Sequence, residues 1–342
     1  MNQNIGLGIA GVIIGGILNG SFVAPMKKMK LWRWENSWFV YSITGLLIIP
    51  WIVALFAVPN LAAVIGGAPL SAITMALLFG FLWGVGSVLF GLGVARMGLA
   101  VGYGLILGII TPLGTFLPLL VNHPEELWTQ RGLVLVLGTA IVMAGIVVLA
   151  IAGNVREKDA PGAGSTGGVK SGFAAGVVIC VVSGILSPSF NFAMTFGKEL
   201  ERRALAEGAS PFVASNAILA LALTAGCLAN AGYAMLLMQK NRTWNLLSTS
   251  KAPANYWGWG SLMGFICFAG FMVYGTGATF LGELGTIIGW PVFMALALIT
   301  SNVLGLLTGE WKGAPKKAYS YSLAGIGLLI TAATVINVWG PK

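Results

Sequence analysis

The chain has 342 residues, of which 57% are hydrophobic and only 8% charged, with a formal net charge of +9. Water-facing domains carry roughly 25% charged residues, so this composition excludes a soluble globular protein and turns most of the surface toward lipid. One histidine and three scattered cysteines (Cys180, Cys227, Cys267) exclude a disulfide framework and a tetrahedral zinc site, and the basic residues lie in short loops between apolar runs rather than in a nucleic-acid patch.

Crossing about 30 Å of hydrocarbon takes about 20 apolar residues in a helix. The start, MNQN, lacks the positive region of a secretory signal, so the apolar run at 5–24 reads as a first span. Further spans are predicted at 37–58, 71–95, 98–120 and 132–152. The segment GNVREKDAPGAGSTGG that follows is rich in Gly, Ala, Ser and charge, and reads as a flexible linker over 153–170. Beyond it, spans are predicted at 171–196, 212–238, 256–281, 285–307 and 320–339. Each of the ten is essentially free of charge, and lipid demands a backbone that satisfies its own hydrogen bonds, so the expected fold is an all-α polytopic membrane protein. The 49 glycines, among them Gly80, Gly84, Gly98 and Gly102, suit close helix packing in lipid. The cysteines lie inside apolar runs and read as packing thiols.

Ten spans put both termini on one side. Fourteen basic residues, Lys27 to Arg33, Arg96, Arg156 to Lys170, Lys240 to Lys251 and Lys312 to Lys317, fall in one set of loops, against five (Arg131, Lys198, Arg202, Arg203, Lys342) in the other. Cytoplasmic loops carry the excess of Lys and Arg, which puts the first set inside and both termini outside.

An internal repeat is the next signal. Residues 16–30, GILNGSFVAPMKKMK, align with 184–198, GILSPSFNFAMTFGK, at an offset of 168, matching Gly16/Gly184, Ser21/Ser189, Phe22/Phe190 and Lys30/Lys198 among others. The offset joins span 1 to span 6. Five helices per copy is an odd number, so the second copy must be inverted in the membrane, as in many secondary transporters. The expected organisation is a first five-helix repeat at 1–152 and a second at 171–342.

SFVAPMKKMKLWRWE (21–35), FGFLWGVGSVLFGLGVARMGLAVGYGLILGI (79–109) and GLLTGEWKG (305–313) resemble the bacterial L-rhamnose–proton symporter family of the drug/metabolite transporter superfamily. The resemblance implies ten helices in two five-helix repeats and proton-coupled uptake of a 6-deoxyhexose across the inner membrane. Residues 275–308 depart most from the family pattern, so substrate contacts could differ there.

Breaks at matching places in two repeats point to a transporter's binding site. Asn19-Gly20-Ser21 aligns with Ser187-Pro188-Ser189, where the proline lacks a backbone donor. Asn19, Ser21, Ser187, Ser189 and Asn191 then offer the neutral donors and acceptors that sugar hydroxyls need, or else small polar groups bonding their own helix at a kink. Trp83 sits mid-span, where an indole face can cover the apolar side of a sugar or simply fill space. Trp290 is a weaker candidate of the same kind, and Ser87 and Tyr103 complete the set. Tryptophans near span ends, including Trp32, Trp38 and Trp311, read as interface anchors.

A proton symporter needs a titratable group. Glu283, in the tight turn LGELG, is the first candidate, because a carboxyl near low dielectric has a raised pKa; the other reading is a solvated loop glutamate. Glu35 is the second, although it could pair with Arg33 or Lys30. A sodium site of neutral oxygens such as Ser21 and Thr111 is the alternative. His123-Pro-Glu-Glu reads as an exposed loop, Glu310 as a helix end in the headgroups, and Gly102-Tyr103-Gly104 completes no nucleotide motif.

The expectation is a symporter with a neutral sugar, protons and the bilayer as partners, no nucleic acid, no cofactor and no enzymatic activity. A carrier for another neutral metabolite, or a membrane enzyme acting on lipid-linked sugars, remains open. The enzyme would need converging carboxylates, and only Glu125 and Glu126 beside His123 come close in sequence.

Overall fold

The computed structural model describes residues 4–158, 170–248, 250–309 and 311–339, without the side chains of 98–101, 103, 157–158 and 170–173. Glu310, Lys342 and the linker residues 159–169 lie outside the described residues. Ten helical segments are long and apolar enough to cross a membrane: Ile5–Lys28, Trp34–Ala57, Leu70–Met97, Gly104–Asn122, Gln130–Arg156, Ala174–Ala206, Asn216–Asn241, Asn255–Leu281, Gly285–Leu307 and Lys316–Val338, spans 1 to 10 below. All ten overlap the spans expected from hydropathy, and the described residues are mostly helical with no strand. The surface is apolar where a soluble protein would be polar: Phe56 is 89% exposed and Leu228 68%. Such side chains belong in hydrocarbon.

Boundaries differ most at the turn between spans 3 and 4 and at the ends of spans 5 and 6, span 6 running on to Ala206. The helix of span 5 runs on to Lys158, so the start of the expected linker is helical. Spans 3 and 4 share one helical assignment, Leu70–Asn122, yet a Cβ on Gly102 would lie 2.9 Å from the Val94 Cα. A straight helix separates residues eight apart by about 12 Å, so the chain reverses here, and glycine permits the close approach.

Two compact units emerge, Met1–Val85 with Ser189–Thr286 and Gly86–Pro188 with Ile287–Lys342, each drawing on both sides of the linker. The chain passes between them in spans 3, 6 and 9. In the first unit, span 1 lies along span 8 through a glycine seam: a Cβ on Gly11 would sit 2.8 Å from the Gly277 Cα, and one on Gly15 2.8 Å from the Gly270 carbonyl. Span 3 meets span 7 as closely, with Gly84 against Gly226 at 2.6–2.8 Å. In the second unit, span 5 packs on span 10, where Leu329 and Leu149 fill the space over Gly145 and Gly325. There, too, the first part of span 6 lies on the end of span 3, Ser187 against Gly86 and Cys180 against Gly93. All three cysteines are free and buried.

Spans 1 and 6 are both interrupted. Span 1 stops as an α-helix at Ser21 and resumes as a 3-10 turn at Ala24–Lys28. Span 6 stops at Leu186 and restarts at Ser189, since Pro188 cannot donate to the helix it would continue. At the 168-residue offset, Leu186 aligns with Leu18, so the second interruption comes about one turn earlier than the first.

Candidate substrate site and buried carboxylates

The restart of span 6 carries Asn191 into the first unit, where it is fully buried. Its Nδ2 donates to the Thr286 carbonyl at 3.1 Å, and its Oδ1 accepts from the Tyr274 hydroxyl, which lies 3.3 Å from the same carbonyl. Thr195 Oγ1 stands 2.8 Å from both the Asn191 carbonyl and Thr286 Oγ1. The Thr286 carbonyl lies next to that of Ile287, which Pro291 leaves without its helical donor, so this turn offers acceptors to side chains. Asn191, Thr195, Tyr274 and Thr286 thus form one neutral polar network inside apolar spans.

An aromatic wall adjoins it. Phe190 stacks on Phe271 at 4.1 Å, and Tyr274 lies 6.4 Å from Phe190. Trp83 meets the pair, 5.6 Å from Phe190 and edge-on to Phe271 at 5.4 Å. It lies over Gly226, where a Cβ would come within 2.7 Å of the indole ring. The Gly226 carbonyl accepts from Asn230 Nδ2 at 3.0 Å, and Asn230 Oδ1 accepts from the Trp38 indole at 2.9 Å. A row of aromatic rings and amides therefore runs from Trp38 to Asn191.

Of the expected substrate residues, Trp83 and Asn191 are brought together through Phe190. Ser189 is buried on the same short helix. Asn19 and Ser21 belong to span 1 of this unit, where the Asn19 backbone abuts Gly270 and the Ser21 hydroxyl donates to its own helix at Leu18, 2.8 Å away. Ser87, Ser187, Tyr103 and Trp290 fall in the second unit. There the Ser187 and Thr111 hydroxyls are buried without a partner. Trp290 is buried, donates to the Ile110 carbonyl at 3.3 Å and closes its indole ring over Gly114. Trp32, Trp38 and Trp311 correct the anchor reading, since all three are buried in packing. Trp311 accepts the Arg156 guanidinium over its face at 5.1 Å.

The carboxylates depart further from expectation. Glu283 is 59% exposed and held by Lys198 Nζ at 3.2 Å and Arg202 at 3.3 Å. Partial burial pushes its carboxyl up, but the charges and hydrogen bonds of Lys198 and Arg202 outweigh that, and it titrates below the ordinary carboxylate value. The raised value expected from the turn is therefore corrected: two cations face it there. A depressed carboxyl adds stability that is present above the ordinary value near 4.5 and lost as pH falls through the folded one, so Glu283 supplies no titration near neutrality.

Glu35 is 4% exposed and pairs with neither Arg33 nor Lys30 within 4.0 Å. Its Oε1 accepts from Asn241 Nδ2 and Thr243 Oγ1, both at 3.0 Å, while Asn36 Nδ2 donates to the Thr243 carbonyl at 2.9 Å. These bonds tie the start of span 2 to the end of span 7. A second carboxylate is buried where the hydropathy pattern suggested only loop: Glu201, 6% exposed, on the helical extension Lys198–Ala206 of span 6. Glu125 stays exposed, 3.5 Å from His123.

Ten apolar spans with amides, hydroxyls and aromatic rings gathered inside them make this a polytopic α-helical membrane transporter. The family model for the L-rhamnose-proton symport protein matches residues 1–340, and the chain belongs to that family. Among similar proteins are L-rhamnose-proton symporters of Escherichia coli strain Crooks and Shigella boydii serotype 18, each 26% identical over 348 residues and covering 99% of both chains. A crystal structure with 15% sequence identity shares the fold, at a TM-score of 0.55 over 96% of this chain and 95% of the other.

Proposed function

We propose that the protein takes up a neutral sugar, L-rhamnose or a related 6-deoxyhexose, together with a proton, across the bacterial inner membrane by alternating access. The observation that carries this reading is the Tyr274–Asn191–Thr286–Thr195 network beside Trp83, Phe190 and Phe271. Amides and hydroxyls match sugar hydroxyls, and aromatic faces match the C–H side and methyl group of a deoxy sugar. An ionic substrate would need a buried counter-charge in the spans, and the network has none. Asn191, Trp83, Ser189, Asn19 and Ser21 are assigned to the substrate path on the first unit, and Ser87, Tyr103 and Ser187 on the second.

The two halves, 1–152 and 171–342, are read as inverted copies. Span 1 on span 8 in one unit and span 6 on span 3 in the other make a reciprocal pattern that supports this reading. Uptake of labelled L-rhamnose into vesicles should follow an imposed inward proton gradient and collapse when the gradient is dissipated. Accumulation of a different neutral metabolite, with L-rhamnose neither carried nor competing, would move the protein to another substrate. Orientation is a separate expectation: a reporter fused after Lys30 should read cytoplasmic and one after Asn122 external. The reverse readout would invert the topology and leave the ten spans intact.

A further inference from the structure

The cations at the Glu283 end of the first unit are taken by the wrong carboxylate for coupling. Lys198 donates to the Gly282 carbonyl at 3.0 Å and to Glu283, and Arg202 bonds Glu283 and Glu199. Both acceptors are exposed or half-exposed. Glu201, on the same helix and nine-tenths buried, has no Lys or Arg nitrogen within 4.0 Å among the described residues. An ionised carboxylate is costly to bury without a partner, and the cost falls away when it binds a proton.

A neighbouring hydroxyl can serve either form of this carboxyl. Thr279 of span 8 lies beside Glu201, but it sends its own proton to the Gly275 carbonyl at 3.0 Å. Its oxygen keeps lone pairs. A protonated Glu201 can donate to it, and the same hydroxyl can turn to donate to the ionised form, so Thr279 serves both states of the carboxyl. Lys198, Arg202 and Glu283 are the charged groups that face Glu201. Leu61–Gly66, Ser189–Phe196 and the start of Asn216–Asn241 also pack on its helix and carry no titratable side chain before Cys227.

Glu35, the other buried carboxylate, differs in kind. Two donors, Asn241 Nδ2 and the Thr243 hydroxyl, hold its ionised form and make it a structural tie.

We infer that Glu201 is the group that takes up and releases the coupled proton, with Thr279 as the acceptor for its protonated form. The inference rests on the symport reading above. Its link to the sugar site is short. Thr279 bonds the carbonyl next to Tyr274 on span 8, and Glu201 follows Asn191 along span 6 with only Gly197 between their helices. Thr279 is five residues from Tyr274, about 7.5 Å along a helix. A shift of either span on sugar binding therefore changes the burial of Glu201, and the coupling is reciprocal.

The test uses the full-length protein in vesicles, with labelled L-rhamnose. One pH unit of gradient supports about tenfold accumulation at one proton per sugar. Glu201→Gln is expected to keep counterflow exchange but to equilibrate without accumulation, and its sugar affinity should lose its pH dependence. Normal accumulation by Glu201→Gln overturns the inference, and loss of accumulation in Glu283→Gln alone returns the role to the exposed turn. Absence of any proton-driven rhamnose uptake by the unaltered protein would instead sink the symport reading itself. Should Glu201→Gln fail to give a monodisperse protein, Glu201→Asp decides. A shifted pH midpoint of accumulation supports the assignment, and an unchanged midpoint overturns it.

Discussion

Asn191→Leu is expected to weaken L-rhamnose binding by about tenfold to a hundredfold, roughly 1.4–2.7 kcal/mol. Leucine keeps the size and removes both the donor and the acceptor. The Tyr274 hydroxyl then loses its Oδ1 acceptor, and the Thr286 carbonyl loses a 3.1 Å donor, both in the buried interior of the unit. The Tyr274 hydroxyl, 3.3 Å from the Thr286 carbonyl, can then turn to it alone, so the network rearranges and the sugar meets hydroxyls in the wrong places. Tyr274→Phe removes one bond of the same network and should have a smaller effect in the same direction. Titration of intrinsic tryptophan fluorescence with L-rhamnose measures it, because Trp83 adjoins Phe190 and Phe271. Unchanged affinity in Asn191→Leu, with thermal stability reduced, would make the network a structural element and move the sugar elsewhere.

Much of this architecture is legible in the sequence, for a physical reason. A lipid environment selects spans by hydropathy above all else, and all ten follow from it. The break at Ser187-Pro188 is legible because proline acts on the backbone locally, and Asn191 beside it is legible as a polar residue in an apolar run. What escapes is whatever depends on which side chains meet. Tyr274 and Thr286 give no local sign that they converge on Asn191 from spans 8 and 9. Glu283 looks partly buried because its turn is short, yet Lys198 and Arg202, some eighty residues upstream, reach it. Glu201 sits in KELERRALA, a run so charged that it reads as loop. It is the helical continuation of span 6, and one of its faces points inward. Trp38 misleads in the opposite way: its place near a span end suggests the lipid interface, but Asn230 captures its indole.

The seam between spans 3 and 7 should tolerate no side chain at all, and Gly80→Leu tests it with the largest stability loss expected here. A Cβ at Gly80 would lie 2.6 Å from the Ala222 Cα and closer still to its carbonyl oxygen. Overpacking against a flexible side chain costs about 1–3 kcal/mol, but backbone cannot swing aside, so the helices must separate. Separation would also strip contacts from Gly84 and Gly226, one turn along, and from the Trp83 ring that rests on Gly226. The thermal midpoint of purified protein should fall by at least about 5 °C, and L-rhamnose affinity should fall with it as Trp83 loses its support. Gly232→Leu is the comparator on the same helix of span 7. A Cβ there meets nothing within 4 Å, so the change adds a helix-favouring residue without a clash. Its midpoint should stay within about 2 °C of the unaltered protein. If Gly80→Leu and Gly232→Leu behave alike, the close approach of spans 3 and 7 is not what holds the first unit together, and glycine at 80 serves only backbone freedom.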